Sequence, residues 1–218
     1  MNKIKTLLCA TLLALTSISA MAKDYQAVAF GVKSDGVTNN TRSIQHAIDY
    51  ISAQGGGRLV FYVGRYLTGS VELKSGVTLV IHEGAVLVAS PSVYDHKGSP
   101  RRALIHAQGQ HDIAITGKGI IDGNSRALSA DIAEQTARRY ADAKGETPTL
   151  IALNHCHGVQ VSGVTLQNYA CAPLHFDHCR NIQITGVTLG LADETFDLYE
   201  TKECDKFTAK DCLKQPRY

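Results

Sequence analysis

The side chains in this 218-residue chain best equipped for chemistry are histidines and cysteines, and their spacing decides what they could do. His155 and His157 stand two apart, and His175 and His178 three apart. Imidazoles at i and i+2 leave one face of a strand together, which is a way to build a metal site. His155 and His178, however, hold equivalent places in two copies of a repeat, so a stacked ladder is the simpler account, and no metal or cofactor is expected. Cys156, Cys179 and Cys204 also share one place in successive copies. Stacked neighbours would lie about 5 Å apart, within the Cα range a disulfide allows. A free thiol filling a narrow interior is the preferred reading. Asp122-Gly123 reads as a turn, and Gly55-Gly56-Gly57 lacks the strand-before-helix context of a phosphate loop.

Those residues must be positioned by the repeat itself. His155-Cys156-His157-Gly158-Val159-Gln160-Val161-Ser162-Gly163-Val164-Thr165-Leu166 is echoed by His178-Cys179-Arg180-Asn181-Ile182-Gln183-Ile184-Thr185-Gly186-Val187-Thr188-Leu189. Alternating apolar residues, then glycine, then a β-branched run describe a strand, a bend and a second strand. Such a unit cannot bury its inner face alone, and the period from His155 to His178 falls in the range that means stacked coils: a parallel β-helix. Gln110 to Gly117 fits the template two periods before the clean copy, with the space filled by other sequence, and Glu203 to Lys210 is a weaker later copy. Ser75 to Ile81 reads as a still earlier coil.

Other segments frame the coils. Ile44, Ala47, Ile48 and Ile51 recur at helical spacing, with Asn40 or Thr41 placed to cap the start and Gly55-Gly56-Gly57 to end the helix. A helix there would cover the first coil, whose strand edges are otherwise open to aggregation. Arg58–Tyr62, Tyr66–Leu73, Val77–Ile81 and Ala85–Val88 read as strands. Residues Asn124 to Thr147 lack β-branched runs and predict a helical insertion that leaves the stack at a corner and walls a groove.

Lys3 and Lys5, the apolar run Thr6 to Ala20 and the small-x-small Ala20-Met21-Ala22 read as a signal peptide, residues 1–22, cleaved after Ala22. Export to the periplasm or the extracellular space is expected. Its removal takes two lysines, leaving 20 Lys+Arg against 20 Asp+Glu. A formally neutral chain argues against a nucleic-acid partner, which needs a clustered basic excess. No second stretch could span a bilayer, so no membrane partner is expected after processing. Residues 23–218 read as a single domain and a monomer.

With the elements placed, the chain resembles glycoside hydrolase family 28, the polygalacturonases. Three segments carry the resemblance: Phe30-Gly31 through Asp35-Gly36 and Asn40-Thr41 to Gly64-Arg65-Tyr66-Leu67-Thr68-Gly69; Ile115-Thr116-Gly117-Lys118-Gly119-Ile120-Ile121-Asp122-Gly123; and the repeat pair. The resemblance implies an all-β, right-handed, pectin-lyase-like parallel β-helix with an amino-terminal capping helix. It also implies inverting hydrolysis of α-linked galacturonic acid polymers, pectin, as polysaccharide substrate. One carboxyl group would protonate the leaving oxygen and another activate water from the opposite face, about 6.5–9.5 Å away.

The family's first acidic motif is Asn-x-Asp-Gly-x-Asp, and near that place this chain reads Thr195-Phe196-Asp197-Leu198-Tyr199-Glu200. Alignment through Cys204 and Cys212 puts Asp197 on the catalytic aspartate and Glu200 on the second acid. Alignment on Phe196-Asp197-Leu198 moves the catalytic slot to Glu194. Asp197 is acidic and motif-placed in both registers, and with the partner motifs missing it and Glu200 could equally be solvent-facing acids. The family's paired aspartates, Gly-His-Gly and Arg-x-Lys do not occur in the sequence at hand, which implies a truncated member inactive alone. A non-catalytic carbohydrate-binding or cell-surface β-helix is the alternative. A pectate lyase would need acids gathered around Ca²⁺ beside a basic residue, and no such cluster stands out.

Overall fold

The computed structural model of the chain describes residues 22–96, 98–140, 148–192 and 196–214. The proposed signal peptide, apart from Ala22, lies outside them, as do Glu194 and residues 141–147 of the expected insertion.

After β1 (Asp24–Gln26) and a 3₁₀ turn, α1 (Thr41–Ala53) leads into a stack of three-strand coils. The first holds β2 (Gly57–Phe61), β3 (Gly64–Thr68) and β4 (Val71–Glu72); the second, β5 (Val77–Ile81), β6 (Ala85–Ala89) and β7 (Ile105–Gln108). The third holds β8 (His111–Gly117), β9 (Ile120–Asp122) and β10 (Ile151–Asn154), with α2 (Ser125–Ala137) between the last two. The fourth holds β11 (His157–Ser162), β12 (Thr165–Gln167) and β13 (Leu174–Asp177); the fifth, β14 (Arg180–Thr185), β15 (Thr188–Leu189) and β16 (Tyr199–Lys202). β17 (Asp205–Lys210) and β18 (Leu213–Lys214) begin a sixth. Strands in the same place of each coil pair in parallel, giving sheets of seven, six and five strands, each a right-handed crossover apart.

The expected alternation is what builds the core. Leu59, Leu79, Ile115, Val161 and Ile184 are register partners down the first sheet and all are buried. A fully buried side chain of this kind contributes about 1.5–3 kcal/mol over an exposed one. One apolar cluster runs from Ala27 to Leu189. At its amino-terminal end α1 lays Ile44, Ala47, Ile48 and Ile51 on the first coil, as the spacing predicted.

Two expectations need correction, and a third holds. Asn40 precedes α1 but makes no side-chain cap; its amide instead accepts from Lys33 N and donates to the carbonyls of Lys33, Thr38 and Leu67. Tyr66–Leu73 is two strands on different sheets, bent at Gly69-Ser70, where Ser70 N donates to Asp95 O. The stretch from His111 to His157 is one coil, those residues being direct register partners, and α2 fills the extra length as the expected insertion.

The cysteine column forms as read: Cys156 and Cys179 are buried, Cys204 half-buried, and none of the described thiols is in a disulfide. The hydrogen bond with Cys156, together with burial, pushes the Cys179 thiol up, so it stays protonated. A thiol reagent applied to the native protein is therefore expected to label Cys212 readily and to spare Cys156 and Cys179 until the chain is unfolded, as peptide mapping would show.

Candidate functional site

The third sheet faces inward with Val71, Ile105, Ile151, Leu174 and Tyr199. The pleat therefore turns the next residue of each strand outward, giving a column Glu72, His106, Ala152, His175 and Glu200. Two residues further on, Gln108, Asn154, Asp177 and Lys202 form a second outward column. Between these columns lies a cleft of about 220 Å³ lined by Ala152, Asn154, His175 and Asp177, with Pro100 and Arg101 beside them.

Arg101 comes from the segment joining β6 to β7, and both it and Arg102 hold left-handed backbone, φ 51° and 48°. A residue bearing a Cβ costs on the order of 1–2 kcal/mol there. That segment is held by His96, which is buried with Nε2 2.9 Å from Ser90 O and Nδ1 3.1 Å from Ser70 Oγ. It is also tied to α2: Asp131 Oδ2 accepts from Val93 N, and Tyr94 donates its hydroxyl to Gln135. The insertion thus braces the wall of the groove.

Burial pushes the imidazoles of His96 and His106 down, so both are neutral in the folded chain. A group with a lowered folded pKa adds stability above its unfolded value, near 6.5 for histidine, that is lost as pH falls. The denaturation midpoint is expected to drop between pH 7.5 and pH 5.5, and His106→Gln to shrink that slope. An unchanged midpoint across this window would contradict the burial of both rings.

Asp177 would be raised by burial, yet the hydrogen bond from His178 and the charges of Lys202, His178 and His175 hold it below the usual carboxylate range. His178 stands between Asp177 Oδ1, at 2.6 Å, and Glu203 Oε2, at 2.8 Å. Its ring stacks on His155 with centroids 4.7 Å apart, the ladder the repeat predicted. His157 instead stacks on His111, 5.2 Å away, so His155 and His157 have different neighbours and do not converge.

Of the two acids singled out in the sequence, Glu200 sits at this cleft, its Oε2 3.4 Å from His175 Nδ1 and 3.6 Å from Arg101 Nη2. Asp197 precedes β16 and points to solvent, 93% exposed, between Phe196 and Leu198, which pack on the core; Lys214 Nζ is 4.0 Å away. Arg101, Asn154 and Asp177 were not picked out as site residues, and His175 only as half of a histidine pair weighed for a metal. The signal that could have found Asn154 and Asp177 is the repeat itself, since they directly precede the two clean copies and are in register.

A family model, "Glycosyl hydrolases family 28", matches residues 60–213. The chain belongs to glycosyl hydrolase family 28. Among its relatives, a Parabacteroides merdae chain provisionally assigned as a glycosyl hydrolase is 48% identical with a TM-score of 0.85, over 89% of this chain and 86% of that one. A Vitis vinifera protein named "Probable polygalacturonase" is 31% identical over 174 residues, covering 70% of this chain and 34% of that protein. The exo-poly-alpha-D-galacturonosidase of Dickeya chrysanthemi is 34% identical over 138 residues, 55% of this chain and 23% of the enzyme. This family member thus spans about a third of the first curated relative and about a quarter of the second.

Proposed function

We propose that this family 28 chain takes part in inverting hydrolysis of α-linked galacturonic acid polymers, with Asp197 and Glu200 as its acidic residues. The observation that carries the reading is Glu200, set on the outer face of the third sheet against a cleft large enough for a sugar unit. In this reading one carboxyl group protonates the leaving oxygen and another, across the glycosidic bond, activates water. Clustered carboxylates raise at least one pKa by mutual repulsion, which keeps the proton available.

Asp197 faces Lys214 rather than a second carboxylate among the described residues. Turnover by these 218 residues alone is therefore proposed to be slow or absent until further acids of the kind the family carries on succeeding coils are supplied. The same exposure of Asp197 favours, as second reading, a non-catalytic glycan-binding β-helix. Export as a monomer, after cleavage behind Ala22, completes the proposal.

The test is incubation of the purified chain with polygalacturonate. Reducing ends released without ultraviolet absorbance support hydrolysis; absorbance lost on adding a chelator points to a lyase; binding without turnover supports the second reading. Where hydrolysis is found, Asp197→Asn is expected to cut kcat by roughly 10²–10⁴-fold. A full-rate Asp197→Asn variant would remove Asp197 from the chemistry.

A further inference from the structure

In the outward column Glu72, His106, Ala152, His175, Glu200, only Ala152 lacks a polar head, so it leaves a depression between two imidazoles. Arg101 stands beside this depression from a different segment, held in left-handed backbone. Two polar atoms there are buried without a hydrogen-bond partner among the described residues: Arg101 Nε and His175 Nδ1. Both can donate, and a guanidinium fork with an imidazole edge fits an oxyanion.

The nearest anion is Glu200, whose Oε2 lies 3.6 Å from Arg101 Nη2 and 3.4 Å from His175 Nδ1. Both distances exceed the ordinary length of a nitrogen-to-oxygen hydrogen bond, about 2.7–3.2 Å, so Glu200 is near the position without being seated in it. Its side chain is half exposed.

We infer that Arg101 and His175 form a subsite for the carboxylate of one uronosyl unit, and that Glu200 stands in for that carboxylate when no sugar is bound. The inference rests on the proposed glycan-binding function. The cleft, about 220 Å³, is smaller than the roughly 300–1,000 Å³ of drug-sized sites, which suits one ring rather than an oligosaccharide. Asn154 and Asp177, one column over, bring an amide and a carboxylate within reach of ring hydroxyls. A neutral sugar would leave the Arg101 and His175 donors unanswered, whereas the planar carboxylate matches the planar fork.

The experiment is calorimetric titration of the whole chain with trigalacturonate, its methyl ester and a sulfated galactose trisaccharide. Trigalacturonate is expected to bind at least about tenfold more tightly than the ester. Arg101→Ala should abolish that preference with thermal unfolding unchanged, and Arg101→Lys should restore part of it. His175→Asn gives a second variant on the sheet rather than the loop and should weaken the preference as well. Glu200→Gln should tighten trigalacturonate binding several-fold by removing the internal competitor, even where it slows turnover. Wild-type affinity in Arg101→Ala would overturn the subsite while leaving the glycan-binding function standing. Preference for the sulfated sugar would overturn the carboxylate assignment, and weaker binding by Glu200→Gln would overturn its role as stand-in. Failure to bind any of the three sugars would bring down both the subsite and the function beneath it.

Discussion

Gly117→Ala is expected to be among the most damaging single substitutions in this chain, costing more than about 4 kcal/mol, in the rare tail of point-mutant effects. Gly117 closes β8 at the corner between the first and second sheets, pairs with Ile81 one coil below, and has φ +118°, a conformation L side chains rarely adopt. A Cβ there would meet the Ile81 carbonyl carbon at 2.7 Å and overlap its oxygen. These are backbone atoms of a paired strand, so relief would require parting two coils. Gly186 supplies the control: it holds the equivalent corner two coils on, with φ +62° and nothing within 4 Å of its virtual Cβ. Gly186→Ala should cost only about 1 kcal/mol, the left-handed penalty alone. Urea denaturation of the two variants checks the contrast; equal losses would mean that coil spacing, rather than backbone angle, has been misread.

That contrast also marks what the sequence could and could not disclose. The repeat around Val159 and Ile182 was legible because a solenoid buries one alternating face on every coil, and the pattern survives wherever coil length is constant. Between His111 and His157 the repeat skips a period for a physical reason. The insertion bearing α2 lengthens one coil by as much as the clean period from His157 to Arg180, and so imitates a missing coil. The bend at Gly69-Ser70 was hidden because it is imposed from outside, by the Asp95 carbonyl accepting from Ser70 N, while the local sequence stays strand-like.

The cleft was harder still. Its outward column advances by unequal steps from Glu72 through His106, Ala152 and His175 to Glu200, so only register brings these side chains together. Arg101 arrives from a loop that carries no repeat at all. Motif placement found both acids; register then sets Glu200 on the outward column, whereas the fold leaves Asp197 facing solvent.

Asp122→Ala is expected to cost roughly 3–5 kcal/mol, since each buried donor left without its acceptor costs about 1–3 kcal/mol and the losses do not simply add, and to disturb the cleft without touching it. Asp122, read from sequence as a turn residue, is 5% exposed and accepts three hydrogen bonds: from Asn124 N at 2.9 Å, Gln167 Nε2 at 3.0 Å and Asn168 Nδ2 at 2.8 Å. Asn124 in turn donates its amide to Ala89 O, so three coils are knotted where both excursions leave the second sheet. Hydrogen bonds to a charged acceptor contribute about 1.5–3 kcal/mol each, and bonds sharing one acceptor do not simply add. The alanine variant leaves two side-chain amides and one backbone N–H without their acceptor. Asp122→Asn keeps the shape but turns one acceptor into a donor facing donors, and should fall between wild type and alanine. The consequence for function follows from the bracing. α2 holds the 90–103 segment through Asp131 and Tyr94, and that segment carries Arg101. Loosening the corner should therefore raise hydrogen exchange in α2 and in residues 90–103 together, and weaken uronate binding in proportion. If exchange rises in α2 alone, the insertion is not what sets the position of Arg101, and the groove wall must be held by His96 and its serine partners instead.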